Sequence, residues 1–252
     1  MIDAQKIKEL VSHTLDVIIY DVTDSTNTRA KEYAAEAKGP TLFIAREQSA
    51  GRGRLGRSFL SRADSGIYMS LLYFTEDSLT DAVSVTTAAA VYVAEAIEQV
   101  TGEKMLIKWV NDVYSDRGKV CGILTESVKV GDRFAIIVGI GINVGEIDFP
   151  PELCGIAASV GDVDGRESEI IAAVSDKLMF QASHPESRAY MSGYRRRFML
   201  DGKRVLLYRG GELEGEGQVL GVDDDGGLIF LPDGESIPIT IRTGEVTLRL
   251  NR

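Results

Sequence analysis

Lys108-Trp109-Val110-Asn111-Asp112-Val113-Tyr114, Ser115-Asp116-Arg117-Gly118 and Lys119-Val120-Cys121-Gly122-Ile123-Leu124 run consecutively along the chain. Two apolar runs flank four residues of tight-turn composition, which predicts strands over 104–114 and 119–128 joined as a hairpin. With 115–118 as the turn, Tyr114 faces Lys119 and Asp112 faces Cys121. Period-two alternation then puts the Asp112 carboxylate and the Lys119 ammonium on one sheet face. Such a pair is either a structural ion pair or the two sides of a site for a metal–phosphate group.

Working outward, the alanine-rich segment 81–100, closed by Gly102, predicts a long helix. Further strands are expected over 17–20, 41–45, 67–74 and 133–144, and helices within 3–15, 28–38, 167–183 and 185–199. From residue 201 the texture changes: Gly210-Gly211, Gly226-Gly227 and Asp233-Gly234 separate short alternating strands. The expected architecture is α+β, with a mixed sheet and packed helices in residues 1–200 and a small β-barrel in 201–252.

Composition narrows the function classes. The 252 residues are 44% hydrophobic and 26% charged, ordinary globular values that argue against disorder. No run approaches the roughly eighteen apolar residues of a membrane span, and no signal-peptide pattern opens the chain. Cys121 and Cys154 provide no disulfide framework, so a cytoplasmic location is expected. With only His13 and His184 besides, a zinc cluster and a histidine-based triad are ruled out. The net charge of −10 speaks against nucleic-acid binding, and residues 201–252 carry ten acids against six bases. Against that background residues 46–62 stand out, with five arginines and one acid, Glu47.

Those arginines centre on Gly51-Arg52-Gly53-Arg54-Leu55-Gly56-Arg57. Its glycines permit close backbone approaches, and its guanidinium forks suit an anion, phosphate above all. It is neither a Walker loop nor a dinucleotide fingerprint, and its bland alternative is a solvated surface loop. Asp24-Ser25-Thr26-Asn27 opens a helix, as a simple cap or as a donor-rich rim for a polar head group. Gly139-Ile140-Gly141-Ile142-Asn143-Val144 ends an apolar strand; its glycines allow tight packing or a bulge, and Asn143 is either a ligand contact or a turn cap.

Taken together, DSTN at 24–27, GRGRLGR at 51–57, KWVNDV at 108–113, KVCGIL at 119–124 and GIGINV at 139–144 closely resemble the biotin–protein ligases, over about residues 17–250. The resemblance implies the class II synthetase-like biotin/lipoate ligase fold with an SH3-like C-terminal barrel. It also implies ATP-dependent activation of biotin to biotinyl-5′-AMP, with Mg2+, and transfer to a lysine of the biotin carboxyl carrier domain of a carboxylase. Carried across by position, Ser25, Thr26, Asn27, Gln48 and Gly51 line the biotin end, and Arg52 and Lys119 grip the biotin carboxylate and the α-phosphate. Arg54, Arg57, Phe59, Asn111, Asp112, Asn143 and Arg249 belong to the nucleotide side, with Asp112 toward Mg2+ through the phosphates.

Three positions depart from the family pattern. Val110 stands where proline is usual, Phe59 where tryptophan is frequent, and Cys121 where a small Gly or Ala is usual, adding a thiol to a tight site. Only about sixteen residues precede the first strand, so the DNA-binding domain and repressor role of some family members are not expected. The resemblance admits a homodimer through the central sheet. The rivals are a lipoate–protein ligase, disfavoured by the arginine loop, and a non-catalytic biotin sensor, which would not need Lys119, Arg52 and Asp112.

Overall fold

The structure, a computed structural model, describes residues 2–76, 82–242 and 246–250. Seven strands form the first sheet: β1 (Asp16–Thr23), β2 (Thr41–Gln48), β3 (Gly66–Thr75), β4 (Leu106–Lys108), β5 (Asp112–Ser115), β6 (Gly118–Val130) and β7 (Arg133–Asn143). Their spatial order is β1-β2-β3-β7-β6-β5-β4. Only β1 and β2 run parallel, through the crossover helix α2 (Thr26–Tyr33); the other neighbours are antiparallel.

The two faces of this sheet differ. On one lie α1 (Ala4–Leu10), α3 (Ala82–Thr101), α4 (Glu167–Ser183) and α5 (Met191–Arg197). There α3 buries eleven side chains, alanines and valines among them, whose small size lets the helix sit close to Ile123, Ile136 and Val138. The other face holds a smaller cluster, with Ala30 and Ala34 of α2 on Phe43, Leu72, Ala135 and Ile137. Beside α2 that face is left open, and the cleft lies there.

A second, antiparallel five-stranded sheet is built from β8 (Arg204–Arg209), β9 (Glu212–Val222), β10 (Leu228–Pro232), β11 (Ile239–Ile241) and β12 (Val246–Leu250), in the order β11-β10-β9-β8-β12. Its inward residues Val205, Leu207, Leu228 and Phe230 join the same apolar cluster as Ile107 and Trp109. The Trp109 Nε1–H donates to the Gly226 carbonyl at 2.8 Å, a buried bond that ties the two sheets together. Trp109→Phe strands that carbonyl and is expected to cost about 1–3 kcal/mol. In thermal melting this is a fall of about 2–4 °C per kcal/mol for a chain of this size.

Several sequence expectations need correction. The strand expected over 104–114 is two strands, β4 and β5, joined by a turn at 109–111 that contains a cis Trp109–Val110 peptide. The turn persists because Asn111 is bonded from β6: Asn111 Nδ2 donates to Ile123 O, and the Ile123 amide donates to Asn111 O.

The β5–β6 hairpin pairs Tyr114 with Lys119 as expected, but a β-bulge follows, so that Val113 pairs with Cys121 and Asp112 with Gly122. Val120 is the extra residue. Asp112 and Lys119 stay on one face, while Cys121 turns into the core, fully buried, and its burial pushes the thiol pKa up. The thiol expected in the site is therefore replaced there by Gly122.

The helix expected over 185–199 begins only at Met191. Upstream, Gln181 Nε2 takes the His184 and Ser187 carbonyls, which would otherwise serve a helix. The helix expected over 28–38 runs Thr26–Tyr33, and that within 3–15 runs Ala4–Leu10. Asp81, the expected start of the long helix, lies outside the described residues.

Candidate active site

The floor of the cleft is laid by strand register. One row of paired residues crosses five strands, Lys108–Asp112–Gly122–Gly141–Tyr68; the next is Leu124–Gly139–Ser70–Phe43. Side chains in such rows share one face. Glycine is required at two of these positions by what lies above them. A Cβ on Gly139 would stand 2.0 Å from Asn27 Oδ1, and one on Gly141 would stand 2.5 Å from the Phe59 ring. The paired glycines of GIGINV are thus the seats of an amide and a ring.

At one end, the start of α2 brings polar groups together. The Thr26 amide donates to Gln48 Oε1 at 2.8 Å, and Gln48 Nε2 donates to Ser61 Oγ at 2.8 Å. The Ser70 hydroxyl lies 2.7 Å from Thr26 Oγ1 and 2.6 Å from Asn27 Oδ1. Ser25, Thr26 and Asn27 are all buried. Asp24 does not face this cluster; it takes the Ser25 amide and pairs with Arg29.

At the other end the arginine loop folds as a closed turn. Arg52 bridges to Ser58, and the Gly53 amide donates to Arg57 O at 2.7 Å. Arg54–Gly56 forms a 3-10 turn in which Leu55 and Gly56 take positive φ, 56° and 71°. Each arginine of the loop holds a different element: Arg52 pairs with Glu126 on β6, Arg54 Nη1 donates to Asn111 Oδ1 at 2.5 Å, and Arg57 Nη2 donates to Thr247 Oγ1 on β12 at 3.4 Å.

The resulting cleft is walled by β3, β6 and β7, the loop, and β12 at Val246–Leu248. Among its described lining residues five are cations (Arg52, Arg54, Arg57, Lys108 and Lys119), against one carboxylate, Asp112. Lys119 Nζ lies 2.6 Å from Asp112 Oδ1, an ion pair across the floor of the cleft.

Electrostatics follow from this crowding. Burial holds the Arg54 guanidinium below its ordinary range; Asp112 opposes the shift, and Arg57 adds to it. Lys108 is likewise held down by burial, against Asp112, with Lys119, Arg249 and Arg57 adding repulsion. An anion entering the cleft relieves that repulsion.

Of the residues expected from sequence, Ser25, Thr26, Asn27, Gln48, Arg52, Arg54, Arg57, Phe59, Asn111, Asp112 and Lys119 come together in the cleft. Gly51 lies behind it, packed on Phe59 O and Ser61 Oγ, where a Cβ would not fit. Asn143 and Arg249 do not line it. Asn143 Nδ2 donates to Ala158 O at 2.9 Å, and the Ala158 amide donates to Lys119 O at 2.8 Å. Asn143 thus holds segment 156–160, which brackets the Lys119 backbone. The Arg249 guanidinium stacks on the Tyr208 ring, 4.7 Å from its centroid.

Sequence reasoning did not single out Ser70, Lys108 as a charge, or Glu126. The signal for Glu126 was present: alternation along KVCGILTE places 122, 124 and 126 on one face.

Among the described residues no group of three or more His, Cys, Asp or Glu side chains is placed to hold a metal ion, and no helix is long and apolar enough to cross a membrane.

Comparison with known proteins agrees with this geometry. Residues 19–143 match the biotin/lipoate A/B protein ligase family. The chain is 34% identical over 226 residues to the bifunctional ligase/repressor BirA of Bacillus subtilis, covering 85% of this chain and 69% of that protein. It is 32% identical over 219 residues to a biotin–[acetyl-CoA-carboxylase] ligase of Paracoccus denitrificans, covering 82% and 91%. A biotin protein ligase of Aquifex aeolicus, solved in complex with biotin and ATP, superposes with a TM-score of 0.78 at 28% identity, covering 94% and 99%. Fold and cleft are those of a protein ligase. The chain belongs to the biotin/lipoate A/B protein ligase family.

Proposed function

We infer that this chain is an ATP-dependent biotin–protein ligase. Biotin and ATP are its substrates, biotinyl-5′-adenylate its intermediate, and a lysine of a biotin carboxyl carrier domain its acceptor. The observation that carries this reading is the imbalance of five cations against one carboxylate, set beside a buried polar cradle of Thr26, Asn27, Gln48 and Ser70.

In the first step a biotin carboxylate oxygen attacks the α-phosphorus of ATP. The bond from that phosphorus to the bridging oxygen breaks, and pyrophosphate leaves with the electron pair. Two anions must meet, and fixed cations in a partly dry cleft lower that barrier. Arg52 and Lys119 hold the two reacting anions, while Arg54, Arg57 and Lys108 face the nucleotide phosphates. In the second step the acceptor amine attacks the acyl carbon, AMP leaves, and the amine releases a proton.

The cleft offers Mg2+ a single carboxylate, so the ion would be held by that group together with the ATP phosphates. Asp112, the one carboxylate among the described lining residues, is the residue that would hold it. When bound, the ion would add positive charge on the phosphates.

Pyrophosphate exchange into ATP tests the reading. Exchange that requires biotin, and is not supported by lipoate, is the expected result. Exchange with lipoate alone makes the chain a lipoate ligase, and biotin binding without exchange makes it a sensor.

A further inference from the structure

One half-buried carboxylate, Glu126, joins the start of α2 to the arginine loop at the polar end of the cleft. Glu126, on β6, has a side chain only 18% exposed and takes four donor contacts. Its Oε1 accepts from Lys31 Nζ at 2.6 Å and from Arg52 Nη2 at 3.1 Å; its Oε2 accepts from Asn27 Nδ2 at 2.9 Å and from Arg52 Nη1 at 3.1 Å. Lys31 and Asn27 belong to α2, and Arg52 opens the arginine loop.

We propose that Glu126 is a positioning residue for biotin activation, acting through Arg52 and Asn27, which it touches, and not through substrate. The proposal rests on the ligase reading above. An ionised carboxylate can only accept hydrogen bonds, so it dictates how both neighbours point. The Asn27 amide must turn its nitrogen to Glu126 and to Leu124 O, which leaves Oδ1 toward Ser70 and the seat made by Gly139. The Arg52 fork meets both carboxylate oxygens, a two-point contact that fixes its plane as well as its distance.

Glutamine at this position has nearly the same shape but carries an NH2 on one edge. Whichever edge it presents, two donors then face each other, because Lys31, Asn27 and Arg52 are all donors. The surroundings keep the natural side chain ionised: burial raises its pKa, but the bonds from Lys31 and Asn27 and the Arg52 charge bring it below the ordinary glutamate value.

The test compares the full-length wild type with Glu126→Gln and Glu126→Asp in biotin-dependent pyrophosphate exchange. For Glu126→Gln we expect the KM for biotin to rise about tenfold or more while the KM for ATP stays within about twofold. Glu126→Asp keeps the charge but is one methylene short, and it should fall between glutamine and wild type. In combination with Arg52→Ala, Glu126→Gln should cost less than it does alone, because one of the two groups it acts through is gone.

If Glu126→Gln does not fold, Glu126→Asp decides by the same split between the two KM values. Equal rises in both KM values, no rise in either, or additive losses in the double variant overturn the proposal. Absence of biotin-dependent exchange in the wild type overturns the ligase reading instead, so the two failures are told apart.

Discussion

Lys119→Ala should lower biotin-dependent pyrophosphate exchange by about 10²–10³-fold, equivalent to about 3–4 kcal/mol of transition-state stabilisation. Lys119 Nζ stands in the cleft 2.6 Å from Asp112, and its backbone is bracketed by Ile156 O and the Ala158 amide, so the ammonium is delivered from a fixed base. Truncation removes a positive charge where two anions must meet and leaves the Asp112 carboxylate facing them. Asp112→Asn separates the two explanations of the pair. If Lys119 serves only to neutralise Asp112, adding Asp112→Asn to Lys119→Ala should bring exchange up to the level of Asp112→Asn alone. If Lys119 acts on the substrates, the double variant stays as slow as Lys119→Ala. A melting temperature close to wild type is expected throughout, because neither residue is part of the apolar core.

Gly139→Ala should raise the KM for biotin by about 10²-fold, the scale of a 1 Å misplacement in a positioned site. A Cβ at 2.0 Å from Asn27 Oδ1 cannot be accommodated, so Asn27 must move. Asn27 is 4% exposed and bonded to Leu124 O, Glu126 and Ser70, so its displacement breaks the polar cluster at that end of the cleft. Overpacking of this kind costs about 1–3 kcal/mol in stability. Gly215→Ala in β9 is the control, because nothing lies within 4 Å of its added methyl. Steady-state kinetics with varied biotin, together with thermal melting of both variants, check the expectation; an unchanged biotin KM in Gly139→Ala would refute it.

Most of the sheet was legible in the chain because its strands are apolar runs separated by turn residues, and that pattern is local. β2, β3 and β7 coincide with their expected ranges to within a few residues, and the five motifs marked the region of the cleft. What failed was also local in appearance but decided elsewhere. Nothing in 104–114 announces a turn at 109–111; it exists because β6 supplies partners for Asn111. The bulge that sends Cys121 to the core and Gly122 to the cleft likewise depends on which face of β6 the helices cover, since a bulge redirects a side chain without changing composition. Asn143 resembles a ligand contact from its place at a strand end, yet its amide holds the Ala158 carbonyl, fifteen residues away in sequence and set by packing alone.

The chemistry is written in the residues: an acidic chain that concentrates arginines in one glycine-rich turn and places a lysine and a carboxylate at a hairpin is committed to anions. It determined the alternation that makes one sheet face polar, because side chains on a strand point to opposite sides whatever the surroundings. Which of those groups meet follows from the folded chain. Glu126 gains its meaning from Lys31 and Asn27 on α2 and Arg52 on the loop, 95, 99 and 74 positions away, and the second sheet enters the cleft through Thr247. Such distances along the chain are bridged by burial of the apolar core, which carries no label in the residues it brings together.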